Sequence, residues 1–207
     1  MPVKLDEVFI FNSALDGKDI PFFSSFSTLN MSRLLAEEVM DSLIAMGYLE
    51  TREEFTLDGA RLAKMILDYK EAERYIQIDN LVIGVKEDGS CILLEKNIFE
   101  EDYLFSRVEL TDGIDQLLGT YEFLQGAYTV EPAEGIEFEQ DKLFESFDIK
   151  AVECLQMVTA NAFGGKKTDE IIFTTKGKLY LYDCKGEMLY SKTSAEIKEV
   201  LNERLAV

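Results

Sequence analysis

Histidine is absent from this chain of 207 residues, and cysteine and proline occur only three times each. Without an imidazole, the sequence excludes His-based catalytic triads, Cys–His dyads and most transition-metal sites. Cys91, Cys154 and Cys184 are widely spaced and odd in number. This pattern indicates reduced thiols of the cytosol, not a disulfide framework or a zinc site. We therefore expect no bound metal and no cofactor.

Long apolar runs are also absent. No stretch approaches the roughly 20 apolar residues that a membrane-spanning helix needs, so we expect no membrane insertion. The first ten residues, MPVKLDEVFI, contain no cationic segment leading into a sustained apolar run, which argues against a secretory signal. We expect a cytoplasmic protein. Hydrophobic residues make up 47% of the chain, which is enough for a core.

Positive charge is scarce. The chain has 21 Lys and Arg against 40 Asp and Glu, a net charge of −19. Residues 1–150 hold 13 basic and 32 acidic side chains, whereas residues 151–207 hold 8 of each. Such a charge repels phosphate backbones and anionic lipid surfaces. It indicates either a merely solvated surface or a basic or polar partner.

One stretch has the local pattern of a DNA-binding winged helix, LIAMGYLETREEFTLDGARLAKMI, residues 43–66. A winged helix that binds DNA needs Arg and Lys on its recognition helix and wing. The segment in the position of the wing, Glu50–Phe55, has three acidic side chains and one basic one. We therefore predict two amphipathic helices joined by a short extended segment, and no nucleic-acid binding.

The spacing of apolar residues predicts the secondary structure. Helices are predicted over Leu29–Met46, ended by Gly47, and from Ala60 to about Tyr75, capped by Thr56 or Asp58. Further helices are predicted from Thr111 or Asp112 to Leu124, over Ile149–Ala162, and from a Ser194 cap to Leu205. Strands are predicted at Val8–Phe11, Tyr75–Val85, Ser90–Glu95, Phe99–Leu110, Glu170–Thr174, Lys178–Asp183 and Glu187–Lys192.

This order of elements predicts an α+β fold with a central antiparallel sheet flanked by helices. The elements repeat faintly, in halves at about 60–126 and 149–207, which suggests a pseudo-two-fold relation within a single domain, 1–207. An acidic linker, 130–148, joins the halves. The linker also carries large apolar side chains, so we expect it to pack within the protein or on a partner.

No motif in the sequence supports an enzyme. With 40 acidic residues, paired carboxylates arise by chance, and Glu100-Glu101-Asp102 lacks the spacing of a calcium loop. The segment from Gly164 to Thr168 precedes a strand, so we interpret it as a helix-to-strand loop and not a phosphate loop. Cys184 precedes Lys185, whose charge can lower a thiol pKa. A turn cysteine without a partner is otherwise incidental, and we expect it to react readily if exposed.

Aromatic side chains are unusually frequent in the predicted connectors and loops. Connectors that cover the sheet would bury these rings, whereas an apolar groove built from them would capture an amphipathic partner helix. On the second interpretation, the candidate partner-binding residues are Phe99, Tyr103, Phe105, Phe138, Phe144 and Phe147.

The segment LLAEEVMDSLIAMGYLETREEFTLDGARLAKMILDYKEAERYIQI, residues 34–78, precedes a strand hairpin and a capped helix. This order resembles the EspG-like proteins of type VII (ESX) secretion systems. The resemblance implies a cytosolic chaperone that holds a secreted helical substrate before export. The chain is shorter than the mycobacterial members, and residues 130–148 replace a longer helical insertion, which is consistent with a firmicute-type relative. No binding motif of that family matches residue by residue, so none is carried over.

Three functional hypotheses follow. The first is a non-enzymatic chaperone or binding protein that holds a helical client against apolar positions with acidic residues around them. The second is an acidic immunity protein that neutralises a basic toxin by charge pairing. The third, a carboxylate-based hydrolase, requires a deep cleft with paired acids.

Overall fold

The structure, a computed structural model, describes residues 2–23, 31–97, 99–109, 119, 121–128, 135–147, 153–162 and 165–205. Within these ranges the chain is an α+β protein in which ten strands form antiparallel sheet structure, two more form a small hairpin, and five helices flank them. The predicted fold class is confirmed, whereas the pseudo-two-fold relation stays a prediction. In the same ranges, no helix is long and apolar enough to cross a membrane.

The chain divides into two compact units. The first comprises Met1–Tyr75, Asn80–Val108 and Ala162–Gly164, and the second comprises Ile76–Asp79, Glu109–Asn161 and Gly165–Val207. The halves predicted at about 60–126 and 149–207 stay a prediction.

The chain begins with a short strand, β1 (Val3–Lys4), followed by a helix, α1 (Leu5–Leu15). The strand predicted at Val8–Phe11 was therefore wrong. The backbone N–H of Lys4 donates to the Glu7 carboxylate at 2.9 Å, which stabilises the first turn. Val8, Phe11 and Asn12 are buried at helical spacing. A four-residue β-prone run does not reveal this longer period.

The next two helices confirm the predicted pair. The first, α2 (Arg33–Ala45), is capped by Ser32 and ends before Gly47, whose φ of 79° suits glycine. A hairpin of β2 (Leu49–Thr51) and β3 (Glu54–Phe55) leads to α3 (Leu57–Lys70). Thr56, and not Asp58, caps α3, because its hydroxyl accepts a hydrogen bond from the Gly59 N–H at 3.1 Å.

Four strands follow α3 along the chain: β4 (Arg74–Ile78), β5 (Leu81–Val85), β6 (Cys91–Asn97) and β7 (Asp102–Val108). The first unit contains antiparallel strands in the order β1-β7-β6-β5. The strand predicted at Ser90–Glu95 is confirmed as β6. The strand predicted at Phe99–Leu110 is confirmed over Asp102–Val108, whereas residues 99–101 form a turn. The run predicted at Tyr75–Val85 is two strands, separated by a turn in which Asp79 has a φ of 49°. Asp and Asn tolerate this left-handed conformation better than most residues.

Helix α3 lies against β5, β6 and β7, and its buried face forms the core of the first unit. Ile66 and Tyr69 have no exposed surface, and Tyr69 contacts Phe105 of β7 edge-on at a ring distance of 5.9 Å. The opposite face of α3 is exposed, and this face leads to the candidate site.

The second unit contains a five-strand antiparallel arrangement in the order β9-β10-β11-β12-β8. The bounds are β8 (Ile136–Glu137), β9 (Cys154–Asn161), β10 (Lys166–Thr175), β11 (Lys178–Asp183) and β12 (Met188–Lys192). The three strands predicted between Glu170 and Lys192 are confirmed.

The helix predicted over Ile149–Ala162 was wrong wherever the structure describes it. Residues 154–161 form β9, so the loop before Lys166 joins two strands and does not follow a helix. Leu155 and Met157 are buried while Cys154 and Gln156 are exposed, and residues 158–160 are then buried on both faces. Apolar residues that continue on both faces of a strand lose the alternation by which a strand is recognised.

Part of the predicted acidic linker is built into the fold. Residues 135–147 contain β8, which pairs with β12, and the helix α4 (Gln140–Phe147). Leu143 of α4 is fully buried in a cluster with Ile171, Phe173, Tyr182 and Leu189.

The last helix, α5 (Ser194–Leu205), begins at a capping box formed by Thr193 and Glu196. The Glu196 N–H donates to the Thr193 hydroxyl at 3.1 Å, and the Thr193 N–H donates to the Glu196 carboxylate at 2.8 Å. The cap is thus Thr193, and the predicted Ser194 cap was wrong. Ser194 instead donates its hydroxyl to the Gly126 carbonyl at 2.6 Å. The helix predicted from Thr111 or Asp112 lies mostly outside the described residues.

Candidate functional site

The exposed face of α3 borders an open cavity of about 560 Å³ in the first unit, called here the α3 groove. The side chains that line it are Leu57, Ala60, Arg61, Lys64, Met65 and Arg107. The first five recur at three- and four-residue spacing, so they form one stripe of the helix. Arg107 completes the lining from β7. The groove is therefore a helix stripe and a neighbouring strand, with apolar and cationic side chains only.

The amino-terminal end of the groove is fixed by backbone contacts. The Thr56 hydroxyl donates to the Gly47 carbonyl at 2.7 Å, and the Thr56 N–H donates to the Tyr48 carbonyl at 3.0 Å. A Cβ on Gly59 would lie 1.9 Å from the Tyr48 carbonyl oxygen, so only glycine permits this approach. These contacts place Leu57 at the start of α3 with 69% of its surface exposed.

A smaller cavity of about 250 Å³ adjoins the groove. It shares Arg61 and Met65 with the groove, and its other lining residues are Tyr48, Asp58, Leu62 and Phe105. The Arg61 guanidinium binds Asp58 at 2.9 Å. Arg61 thus stands between the two cavities with its charge held by an exposed carboxylate.

The other two cations of the groove are held by one buried carboxylate. Asp68 is 3% exposed, and its Oδ1 accepts hydrogen bonds from Lys64 and Lys86, each at 2.8 Å. Arg107 binds the other oxygen, Oδ2. Burial alone would raise the pKa of Asp68, but the hydrogen bonds from Lys64 and Lys86 outweigh it and hold the pKa below its usual value. Asp68 is therefore charged at neutral pH and positions the cations.

The predicted aromatic residues of the first unit do not form one exposed surface. Phe99 lies in the turn after β6 and is 97% exposed. Tyr103 is half-buried, with its ring centroid 4.4 Å from that of Phe23. Phe105 is only 4% exposed and belongs to the core and to the small cavity. Of these three, only Phe99 is almost fully exposed.

The predicted aromatic residues of the second unit pack on its core. Phe138 and Phe147 are half-buried against the cluster around Leu143 and Phe173, with their ring centroids 5.6 Å apart. Their rings cover apolar surface, as the alternative interpretation of the connectors expects. The side chain of Phe144 lies outside the described part of the chain.

The surroundings of two of the three thiols, Cys154 and Cys184, raise their pKa. Burial, together with the charges of Asp169 and Asp183, raises the pKa of Cys184 to about 12. The suggestion that Lys185 lowers it was therefore wrong; the Lys185 ammonium instead donates to the Lys166 and Lys167 carbonyls. Burial also raises the pKa of Cys154. Among the described residues, no group of three or more acidic or cysteine side chains is arranged to hold a metal ion.

The α3 groove was missed by the sequence analysis. Helical spacing predicts one stripe of α3 formed by Leu62, Met65, Ile66 and Tyr69. Leu62, Ile66 and Tyr69 are buried, whereas Met65 is only half-buried and lines the groove with Leu57, Arg61 and Lys64. The signal that was available is Leu57, an apolar residue in the exposed first turn. Arg107 is 43 residues beyond Lys64 in the sequence, and only the fold brings it to the groove.

Comparison with known proteins shows the family of this chain but does not show an activity. No curated protein matches the sequence. The match to a protein family covers residues 3–207, which is nearly the whole chain. The chain belongs to the family described as Domain of unknown function (DUF5081).

Proposed function

We propose that this protein is a non-enzymatic binding protein that holds an α-helical client in the α3 groove. The observation that carries the proposal is the exposed apolar stripe of α3, above all Leu57 with 69% of its surface exposed. Leu57 to Met65 extends about 12 Å along the helix axis, which corresponds to roughly two turns of a client helix. A client helix would place its apolar face on Leu57, Ala60 and Met65.

The resemblance of residues 34–78 to EspG-like proteins supports a more specific role within this proposal. On that basis the protein is a cytoplasmic chaperone, and the client is a helical substrate of type VII secretion. No catalytic step is proposed, since the six side chains that line the groove include no carboxylate, hydroxyl or thiol.

Affinity capture from the native cytosol tests the proposal. The tagged chain and its Leu57→Asp variant are compared at low and high salt, and retained proteins are identified by mass spectrometry. We expect a small helical protein on the wild type at both salt concentrations, because apolar contacts tolerate screening. The Leu57→Asp variant should lose it.

Leu34→Asp is the matched control. Leu34 is also a leucine in the first turn of a helix, and it is also 69% exposed. The Leu34→Asp variant should retain the client. Equal retention by both variants, or no client on the wild type, would refute the proposal for this groove.

An immunity protein that neutralises a basic toxin is the second candidate. A cavity of about 650 Å³ in the second unit supports it, because its lining includes Glu137, Glu139 and Glu187 against Lys142 alone. Capture of a basic toxin domain that is lost at high salt, and weakened by Glu137→Gln with Glu187→Gln, would favour this function.

A further inference from the structure

We infer that the client segment recognised by the α3 groove is an acidic amphipathic helix, whose apolar face is flanked by Asp or Glu side chains. This inference rests on the proposed function and adds the charge of the partner. It differs from what the composition suggests, because a chain with a net charge of −19 is expected to attract basic partners.

Among the residues that the structure describes, the charged lining of the groove is cationic. Arg61, Lys64 and Arg107 supply it, and their partners Asp58 and Asp68 are not part of the lining. This is unusual in a chain with 40 acidic and 21 basic residues. The three side chains are 66%, 57% and 58% exposed, so they are accessible to a partner. These three cations therefore favour a bound segment that carries carboxylates.

The cations are positioned before a partner arrives. Lys64 and Arg107 bind different oxygens of buried Asp68, and Lys86 shares Oδ1 with Lys64. Arg61 is held separately by Asp58 in the first turn of α3. Fixed cations lose little side-chain freedom when they bind a carboxylate.

The apolar side chains of the groove favour one kind of anionic partner over another. Leu57, Ala60 and Met65 offer no hydrogen-bond donors to a phosphate, and the total charge opposes a polyanion. An amphipathic helix matches both features, since its apolar stripe would cover Leu57, Ala60 and Met65 while its carboxylates bind the neighbouring cations.

The test uses two synthetic helical peptides with the same leucine stripe, one with Glu and one with Lys at every flanking position. Their dissociation constants for the full-length chain are measured by fluorescence anisotropy. We expect the Glu peptide to bind at least about tenfold more tightly, since each exposed ion pair contributes a factor of roughly two to five. The overall negative charge of the protein acts against this result, which makes the test stringent.

Two variants test whether the preference for the Glu peptide arises in the groove. Arg61→Glu should abolish or reverse it, whereas Arg33→Glu should leave it unchanged. Arg33 is a matched control because it is also an exposed helix arginine, 94% exposed and paired with Glu37. Circular dichroism of each variant checks that the fold is retained.

The outcomes separate the two claims. Suppose that both peptides bind the wild type equally, that Leu57→Asp abolishes this binding and that Arg61→Glu does not change it. The groove then still holds a helix, but the inferred charge preference is wrong. If binding of neither peptide depends on Leu57, the proposed function of the groove fails as well. Tighter binding of the Lys peptide that Arg61→Glu does not change, or no binding of either peptide, also overturns the inference.

Discussion

Asp68 is the residue on which most charges of the candidate site depend. It is 3% exposed and binds three cations, of which Lys64 and Arg107 line the groove. The spacing of four residues between Lys64 and Asp68 makes one of these pairs predictable from sequence. Lys86 and Arg107 are 18 and 39 residues away from Asp68, so their approach depends on the tertiary fold and no local pattern indicates it.

The first prediction concerns Asp68→Asn. This substitution leaves three cations around a neutral amide, so we expect the free energy of unfolding to fall by about 2–4 kcal/mol. Urea denaturation followed by circular dichroism measures it. Asp58→Asn is the control, because Asp58 also pairs with a cation of α3 but is 72% exposed. The control should change stability by less than about 0.5 kcal/mol.

The same variant has a defined pH dependence. The folded-state pKa of Asp68 is lowered, so its contribution to stability is fully present above the unfolded-state pKa. The contribution is lost as the pH falls through that value and towards the folded-state pKa. The stability difference between wild type and Asp68→Asn should therefore shrink in acid. A difference that stays constant from neutral pH to below about pH 3 would show that the charge of Asp68 is not its source.

The second prediction concerns the Cys184 thiol. Because its pKa is raised to about 12, only a very small fraction is thiolate near neutral pH. Alkylation at mildly alkaline pH should be slower than that of a free cysteine by about a thousandfold. Peptide mapping after timed exposure to iodoacetamide gives the rate for each cysteine. Cys154, which is exposed, is the internal comparison and should react first; faster labelling of Cys184 would contradict the burial of its thiol.

At the scale of elements, the sequence predicts what periodicity and caps determine. The two central helices, the hairpin β5–β6 and the three carboxy-terminal strands are recognisable because each combines a clear period with a turn or cap. Helix α1 and strand β9 are not recognisable from the sequence, and the reasons differ. Val8–Phe11 is β-prone in composition but lies in a longer helical period. Residues 158–160 of β9 are buried on both faces, so burial does not alternate in that half of the strand.

The third prediction tests the junction that starts α3. In Gly59→Ala, the added Cβ would meet the Tyr48 carbonyl oxygen at 1.9 Å, so α3 or the β2–β3 hairpin must shift. We expect a loss of about 2–4 kcal/mol in unfolding free energy, as for overpacked sites. If the α3 groove holds a helix as proposed, that helix should also bind more weakly, because Leu57 moves with this end of α3. Thermal or urea unfolding together with the capture experiment measures both effects.

Gly47→Ala is the control for that variant. Gly47 has a φ of 79° but no atom within 4 Å of an added Cβ, so alanine there meets only the conformational cost. That cost is about 1–2 kcal/mol. If Gly59→Ala is no more destabilising than Gly47→Ala, the close approach at Tyr48 does not constrain α3.

At the scale of the whole molecule, composition predicts the average charge of the surface but not the cationic α3 groove. The net charge of −19 correctly describes a chain rich in exposed carboxylates, and the cavity lined by Glu137, Glu139 and Glu187 agrees with it. The net charge gives no indication of the α3 groove, which is lined by three of the 21 basic residues. The aromatic candidates were chosen by residue type, and side-chain burial, which the sequence does not supply, distinguishes Phe99 from Phe105.

The last prediction follows from the total charge. Nineteen uncompensated negative charges repel one another more strongly in the folded chain than in the expanded unfolded chain. Screening should therefore stabilise the fold, and we expect the midpoint of thermal unfolding at neutral pH to rise by about 3–6 °C between low and moderate NaCl concentrations. Near the isoelectric point of about 4.4 the rise should disappear, because little net charge remains to be screened. A midpoint that falls with salt at neutral pH would mean that ion pairs such as Arg204–Glu170 contribute more to stability than the net repulsion removes.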